Sequence, residues 1–221
     1  MSELTIPSYR EAVGELMHQL ADALPDDALQ TFTRDAERLS QAFPQPLKIK
    51  TGEKAPPFSL PNAVGKTVAL TELLEQGPVV ITFYRGGWCP YCNLELSQYQ
   101  HILPQIREAG AHFVAISPQT PDQSLSMAEK NALQFEVLSD TGNLVARQYT
   151  GVFTYPDASV EAMAALGLDF DAYYADNARE LPVPAVFVVD RSGTVVYAHS
   201  AGGDYRYRSE PAAVLEALKG V

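Results

Sequence analysis

The run VVITFY, residues 79–84, constrains this chain more than any other stretch. Six consecutive apolar, aromatic or β-branched residues, set off by Gly77 and Pro78, form a strand with no solvent face. Such a strand needs a partner on each edge and a layer over each face, so the fold is a sheet covered by helices. The next residues, RGGWCPYCNLE, hold the chain's two cysteines, Cys89 and Cys92. NLELSQYQHILPQIREAG then spaces Leu96, Tyr99, Leu103 and Ile106 by threes and fours, which predicts an amphipathic helix kinked at Pro104 and stopped at Gly110. The cysteine pair therefore lies where a buried strand gives way to a helix.

Further along, HFVAIS and FEVLSD read as buried strands, with a helical stretch from about Gln123 to Leu133 between them. AVFVVDRSGTVVYAHS reads as a hairpin turning at Asp190 to Gly193. In SEPAAVLEALKG, Ser209 is the expected cap, Pro211 suits the first helical turn and Gly220 ends the helix. Strands alternating with helices, closed by a hairpin, predict an α/β domain with a central mixed sheet.

The first part of the chain differs in kind. Tyr9, Val13, Leu16, Met17, Leu20 and Leu24 share one helical face; after Pro25, Leu29, Phe32, Ala36, Leu39 and Phe43 share another. Residues 1–46 are thus expected to be a two-helix extension, joined through the proline-rich FPQPLKIKTGEKAPPF to a domain spanning 47–221. The apolar stripes call for a cover, either that domain or the second subunit of a homodimer.

A net charge of −11 gives no clustered basic surface for phosphates, so nucleic acid is not an expected partner. The chain has neither a leader-like basic-then-apolar start nor an apolar run long enough to cross a bilayer, and a cytoplasmic location is the expectation. A CxxC can be a metal clip, a structural staple, an inert buried pair or a redox couple. A zinc clip wants four ligands, yet His18, His101, His112 and His199 stand singly, none within five residues of a cysteine or of another histidine. A staple closing so short a loop constrains little, and a reducing compartment opposes it. Redox chemistry suits the location, because the unpaired N–H groups and positive dipole end of a helix favour a thiolate. Two inert thiols packed as small apolar groups are the bland alternative.

GEKAPPFSLPN, VVITFYRGGWCPYCNLE, HFVAISPQTPDQ and PAVFVVDRSGTVVYAH together resemble the alkyl hydroperoxide reductase and thiol-specific antioxidant family, the peroxiredoxins, in particular a peroxiredoxin-like branch with a CxxC. The resemblance runs from about Thr51 onward and implies a thioredoxin-like fold. Matched on Phe83-Tyr84, it puts the peroxide-attacking cysteine at Cys92 and a glutamate at Glu95, with Cys89 resolving. Arg85 then stands at the family's proline position, Cys89 at its threonine, and Pro184 where a later arginine belongs. Compared with thioredoxins, Trp88-Cys89-Pro90-Tyr91-Cys92 resembles Trp-Cys-x-x-Cys, and Val183-Pro184 resembles the cis-proline facing it; Cys89 then attacks and Cys92 resolves.

Either way, a thiolate attacks a peroxide oxygen or a disulfide sulfur, and its neighbour closes a disulfide that a thioredoxin- or glutaredoxin-like reductant reopens, without metal or cofactor. Arg85 is positioned to favour the thiolate and Trp88 to shield it. In YRYR, Arg206 and Arg208 are candidates to replace the arginine lost at Pro184. The expectation is a peroxidase, with protein disulfide exchange second. Third is a non-enzymatic binding module using the hairpin and the 152–181 insertion.

Overall fold

The computed structural model describes residues 5–221. Residues 1–4 of the expected extension fall outside that range. Pro25 separates α1 (Tyr9–Ala23) from α2 (Asp26–Ala42), and the Ser8 hydroxyl caps α1 by accepting the Glu11 N–H. β1 (Ser59–Pro61) and β2 (Thr67–Ala69) pair across the Asn62 turn, and α3 (Leu70–Gln76) leads to β3 (Val79–Phe83). Then come α4 (Pro90–Glu108), β4 (His112–Ser117), α5 (Pro121–Lys130) and β5 (Glu136–Ser139). α6 (Ala146–Tyr149) precedes the insertion, which supplies β6 (Val152–Thr154), α7 (Asp157–Ala165) and most of β7 (Glu180–Pro182). β8 (Ala185–Val189), β9 (Val195–His199) and α8 (Pro211–Leu218) finish the chain.

The main sheet has the order β5-β4-β3-β8-β9, with β3, β4 and β5 parallel and β8 and β9 antiparallel to their neighbours. All five residues of β3 are buried, as an uninterrupted apolar run demands of a central strand. Their pleat sorts them by face. Val79, Ile81 and Phe83 join Ile116, Leu138 and Phe187 on one side, while Val80 meets Leu96, Tyr99 and Ile102 of α4 and Val214 of α8 on the other. Because β3 runs straight into the loop before α4, the cysteines sit at the carboxyl end of the central strand.

The chain itself covers part of the hairpin's stripes, while Leu16, Met17, Leu20, Leu24, Leu29 and Phe32 stay half-buried. Ala36 and Leu39 of α2 pack with Phe153, Tyr155, Met163 and Leu181 of the insertion segment and with Tyr205, and Tyr9 and Val13 of α1 are buried as well. Hydrogen bonds fix this docking: Tyr205 Oη donates to the Phe32 carbonyl (2.8 Å) and the Gly203 N–H to the Phe43 carbonyl (2.8 Å). A Cβ at Gly203 would lie 1.9 Å from the Leu39 carbonyl oxygen, so only glycine permits this approach.

Three local expectations are corrected. Glu210, not Ser209, is the α8 N-cap residue, and its carboxylate instead accepts the Tyr9 and Arg10 N–H groups at the start of α1 (2.9 and 3.0 Å). Ser209 Oγ pairs with Tyr197 Oη at 2.7 Å, a tertiary partner that no local pattern announces. The helix expected at about Gln123 to Leu133 starts earlier, since Pro121 occupies its first turn. Finally, the Val183–Pro184 peptide is trans, there being no cis bond among the described residues. The Val183 backbone is also engaged within the chain, its N–H donating to Gly151 O (2.7 Å) and its carbonyl accepting from Thr150 Oγ1 (3.0 Å). The backbone edge that a thioredoxin-type proline would offer to a peptide is closed.

Candidate active site

Cys89 is the N-cap residue of α4, Pro90 takes the first helical position, and Cys92 stands one turn in, its N–H donating to the Cys89 carbonyl at 3.1 Å. Both thiols are free and fully buried. The approach loop is held rigid: Gln119 Oε1 accepts the Gly87 N–H (2.8 Å), and Asn93 Nδ2 donates to the Gly87 carbonyl (2.8 Å). Trp88 Nε1 donates to Tyr174 Oη (2.7 Å), which donates in turn to the Arg85 carbonyl (3.0 Å). The Trp88 ring packs against Tyr155 and Phe170, so the expected shielding residue is anchored at both its polar and its apolar ends.

Two buried arginines divide the thiols between them. Arg85 Nη1 lies 3.7 Å from Cys89 Sγ, and Arg208 Nη2 lies 3.5 Å from Cys92 Sγ. Arg208 is committed elsewhere: Nε donates to Glu95 Oε2 at 2.9 Å, and Nη1 donates to the Tyr205 and Tyr207 carbonyls (2.5 and 2.8 Å). The other Glu95 oxygen faces Thr82 Oγ1 at 3.4 Å. Arg85 has no carboxylate partner among the described residues, and its Nε and Nη2 meet no acceptor. Its guanidinium is caged by aromatic faces, with Cζ 3.7 Å from the Tyr205 ring centroid, 4.7 Å from Trp88 and 5.0 Å from Tyr155. A fully buried cation without a carboxylate needs an anion beside it, and Cys89 is the group available.

The titration behaviour follows. Burial opposes ionisation of Cys89, but the hydrogen bond from Cys92 and the charges of Arg85 and Arg208 outweigh it, lowering its pKa to about 6. Burial and the adjacent Cys89 push the Cys92 thiol up, and Arg208 offsets this only in part because Glu95 already balances its charge. Burial raises Glu95 to about 7 against the pull of Arg208.

The structure brings Cys89, Cys92, Trp88, Arg85, Glu95 and Arg208 together. Arg206 pairs with Asp204 at 2.8 Å and has no hydrogen bond to either thiol, but it lines the cavity that Cys89 also borders. Pro184 is buried, its carbonyl accepting from Ser200 Oγ at 2.7 Å, and its trans bond removes it as a thioredoxin-type feature. Sequence reasoning missed Tyr155, Tyr174, Tyr205 and Gln119. The aromatic density of the insertion and the YRYR repeat were the available signals, though neither says that these rings converge.

Residues 51–198 match the model of the AhpC/TSA family. The chain belongs to this family. Among curated relatives of the AhpC/TSA chain, the chloroplastic peroxiredoxin Q of Gentiana triflora is 28% identical over 148 residues, covering 67% of this chain and 58% of that protein. Peroxiredoxin Bcp of Escherichia coli is 33% identical over 101 residues, 46% of this chain and 64% of its own. The alignments thus span little more than half to under two thirds of these relatives' lengths. The crystal structure of Peroxidoxin BcpB from Mycobacterium tuberculosis superposes with a TM-score of 0.61 at 24% identity, covering 78% of this chain and 98% of that one, which establishes the thioredoxin-like fold. Of the site described above, the hairpin cover, Tyr205 and Arg208 lie outside the matched segment. No helix among the described residues is long and apolar enough to cross a membrane.

Proposed function

We propose that this chain is a thiol peroxidase in which Cys89 attacks the peroxide and Cys92 resolves. One observation carries the reading: Arg85, buried without a carboxylate, holds Cys89 at hydrogen-bond range through Nη1, while its Nε and Nη2 have no acceptor. Those donors are what a peroxide oxygen accumulating negative charge requires. The Cys89 sulfur attacks the terminal oxygen; the S–O bond forms as the O–O bond breaks, and the departing alkoxide or hydroxide takes up a proton. Cys89 becomes a sulfenic acid. The Cys92 sulfur then attacks the Cys89 sulfur, the S–S bond forming as the S–O bond breaks; its thiol proton passes to the adjacent Glu95, a carboxyl raised to about 7 that can accept it near neutrality, and a proton returned to the departing hydroxide lets it leave as water. A thioredoxin- or glutaredoxin-like dithiol supplies two electrons and two protons to restore both thiols, a step suited to a reducing cytoplasm.

Protein disulfide exchange has weaker support, because both thiols are buried and the Val183 edge is closed. A purely binding role would leave the buried Arg85–Cys89 pair without a use. The assignment inverts the roles that alignment on Phe83-Tyr84 implies, and single-cysteine variants test it. With peroxide, Cys92→Ser is expected to accumulate sulfenic acid on Cys89, trapped by a dimedone-type reagent, while Cys89→Ser forms none on Cys92. Sulfenic acid on Cys92 at an undiminished rate in Cys89→Ser would reverse the roles. A mixed disulfide on Cys89 with no peroxide consumed would replace the peroxidase by disulfide exchange.

A further inference from the structure

Over Cys89 lies a cavity of about 300 Å³ whose floor is Cys89, Arg85 and Trp88 and whose walls come from elsewhere in the chain. Leu20 and Leu24 reach it from the end of α1, Leu29 and Phe32 from the start of α2, and Met163 and Leu166 from α7. Pro25 turns the chain between Leu24 and Leu29, so the tip of the helical hairpin overhangs the thiol. The stripes identified in the sequence thus serve two purposes: Val13, Ala36 and Leu39 are buried in packing, whereas the residues around the turn stay partly exposed and face the cavity.

The floor and the walls ask for different chemistry in one ligand. The floor offers the Cys89 sulfur beside the Arg85 cation, whereas the walls are mainly aliphatic, aromatic and thioether groups, with Thr33 and Arg206 as their polar members. Hydrogen peroxide satisfies the floor but not the walls, since the space holds on the order of ten water-sized groups. We propose that the α1–α2 hairpin and the α7 segment form a substrate pocket that selects hydroperoxides carrying an apolar body over hydrogen peroxide. The ligand lies with its O–O group on Cys89 and Arg85 and its hydrocarbon against Leu20, Leu24, Leu29 and Phe32. The selectivity therefore comes from the N-terminal hairpin, which lies outside the segment that defines the family. This proposal rests on the peroxidase reading for its chemistry but not for the pocket itself. Each methylene moved from water onto the walls is worth roughly fourfold in kcat/KM.

The test uses the full chain, with cumene hydroperoxide and hydrogen peroxide as substrates and 2-phenyl-2-propanol, the alcohol product, as an inert probe. In Leu24→Trp and Leu29→Trp, which fill the space, the ratio of kcat/KM for cumene hydroperoxide to that for hydrogen peroxide is expected to fall at least tenfold. In Cys89→Ser, which cannot react, the alcohol is expected to bind and shift the fluorescence of Trp88, the chain's single tryptophan. That measurement stands even if the filled variants fail to fold. Alcohol binding without peroxide consumption by the wild type would sink the peroxidase reading and leave the apolar site. Peroxide consumption with no alcohol bound at millimolar concentration, or an unchanged ratio in folded variants, would overturn the pocket.

Discussion

Replacing Arg85 by methionine removes the charge that faces Cys89 while keeping an unbranched side chain in the aromatic cage. The separation of 3.7 Å between Nη1 and Sγ corresponds to about 4 kcal/mol at an effective dielectric constant of about 20. At 1.36 kcal/mol per pH unit, Cys89 should titrate about three units higher than its native value near 6. The sign follows from the charge: the cation favours the thiolate, and its loss favours the thiol. At neutral pH the thiolate fraction falls from about nine in ten to about one in a hundred, so peroxide attack slows about 10²-fold. The assay is the ultraviolet absorbance of the thiolate against pH in a Cys92→Ser background, with and without Arg85→Met so that the difference between the two titrations isolates Arg85 from the Cys92 hydrogen bond, paired with single-turnover peroxide consumption. The loss should shrink at pH values where both proteins are ionised; any loss that persists there measures direct contact between Arg85 and the peroxide. Folding should survive, because Cys89 can take up a proton when Arg85 is lost, so that no unpaired charge stays buried and an apolar side chain fills the aromatic cage. A Cys89 titration unmoved by Arg85→Met would refute the assignment of Arg85 as the thiolate's counter-ion.

Arg208→Met is expected to lower stability by about 3–5 kcal/mol in urea unfolding, because Glu95 is left buried and unpaired, and adding Glu95→Gln should recover most of it. The Glu95 pKa is raised on folding, so its contribution to stability is fully present below about 4.5 and is lost as pH rises through about 7; Glu95→Gln should remove that part of the pH dependence of the melting temperature. Gly203→Ala forces a methyl group against the Leu39 carbonyl, and α2 must move away. A loss of about 1–3 kcal/mol and a red shift of Trp88 fluorescence should accompany it, and an unchanged spectrum would show that the hairpin does not depend on this approach.

Several features were legible in the residues because they are set by neighbours along the chain. The VVITFY run announces a strand buried on both faces, the spacing of Leu96 to Ile106 announces the helix after it, and Pro25 announces the break between two amphipathic helices. The location of Cys89 and Cys92 at the strand-to-helix junction follows from these periodicities, since a residue's place in a repeating backbone is a local property. What tertiary structure alone decides is which charges meet which thiols. Arg208 reaches Glu95 across 113 positions and Cys92 across 116, and nothing in YRYR separates that arginine from its half-buried neighbour Arg206, which pairs with Asp204 instead. Arg85 becomes a caged cation only because Tyr155 and Tyr205 arrive from distant segments. The Pro184 bond is trans, whatever its likeness to a thioredoxin proline, and Gly151 and Thr150 occupy the backbone beside it. Coulomb energies and desolvation depend on distances through space, which leave no period in the sequence, so the pair of thiols could be read from its residues but the division of labour between them could not.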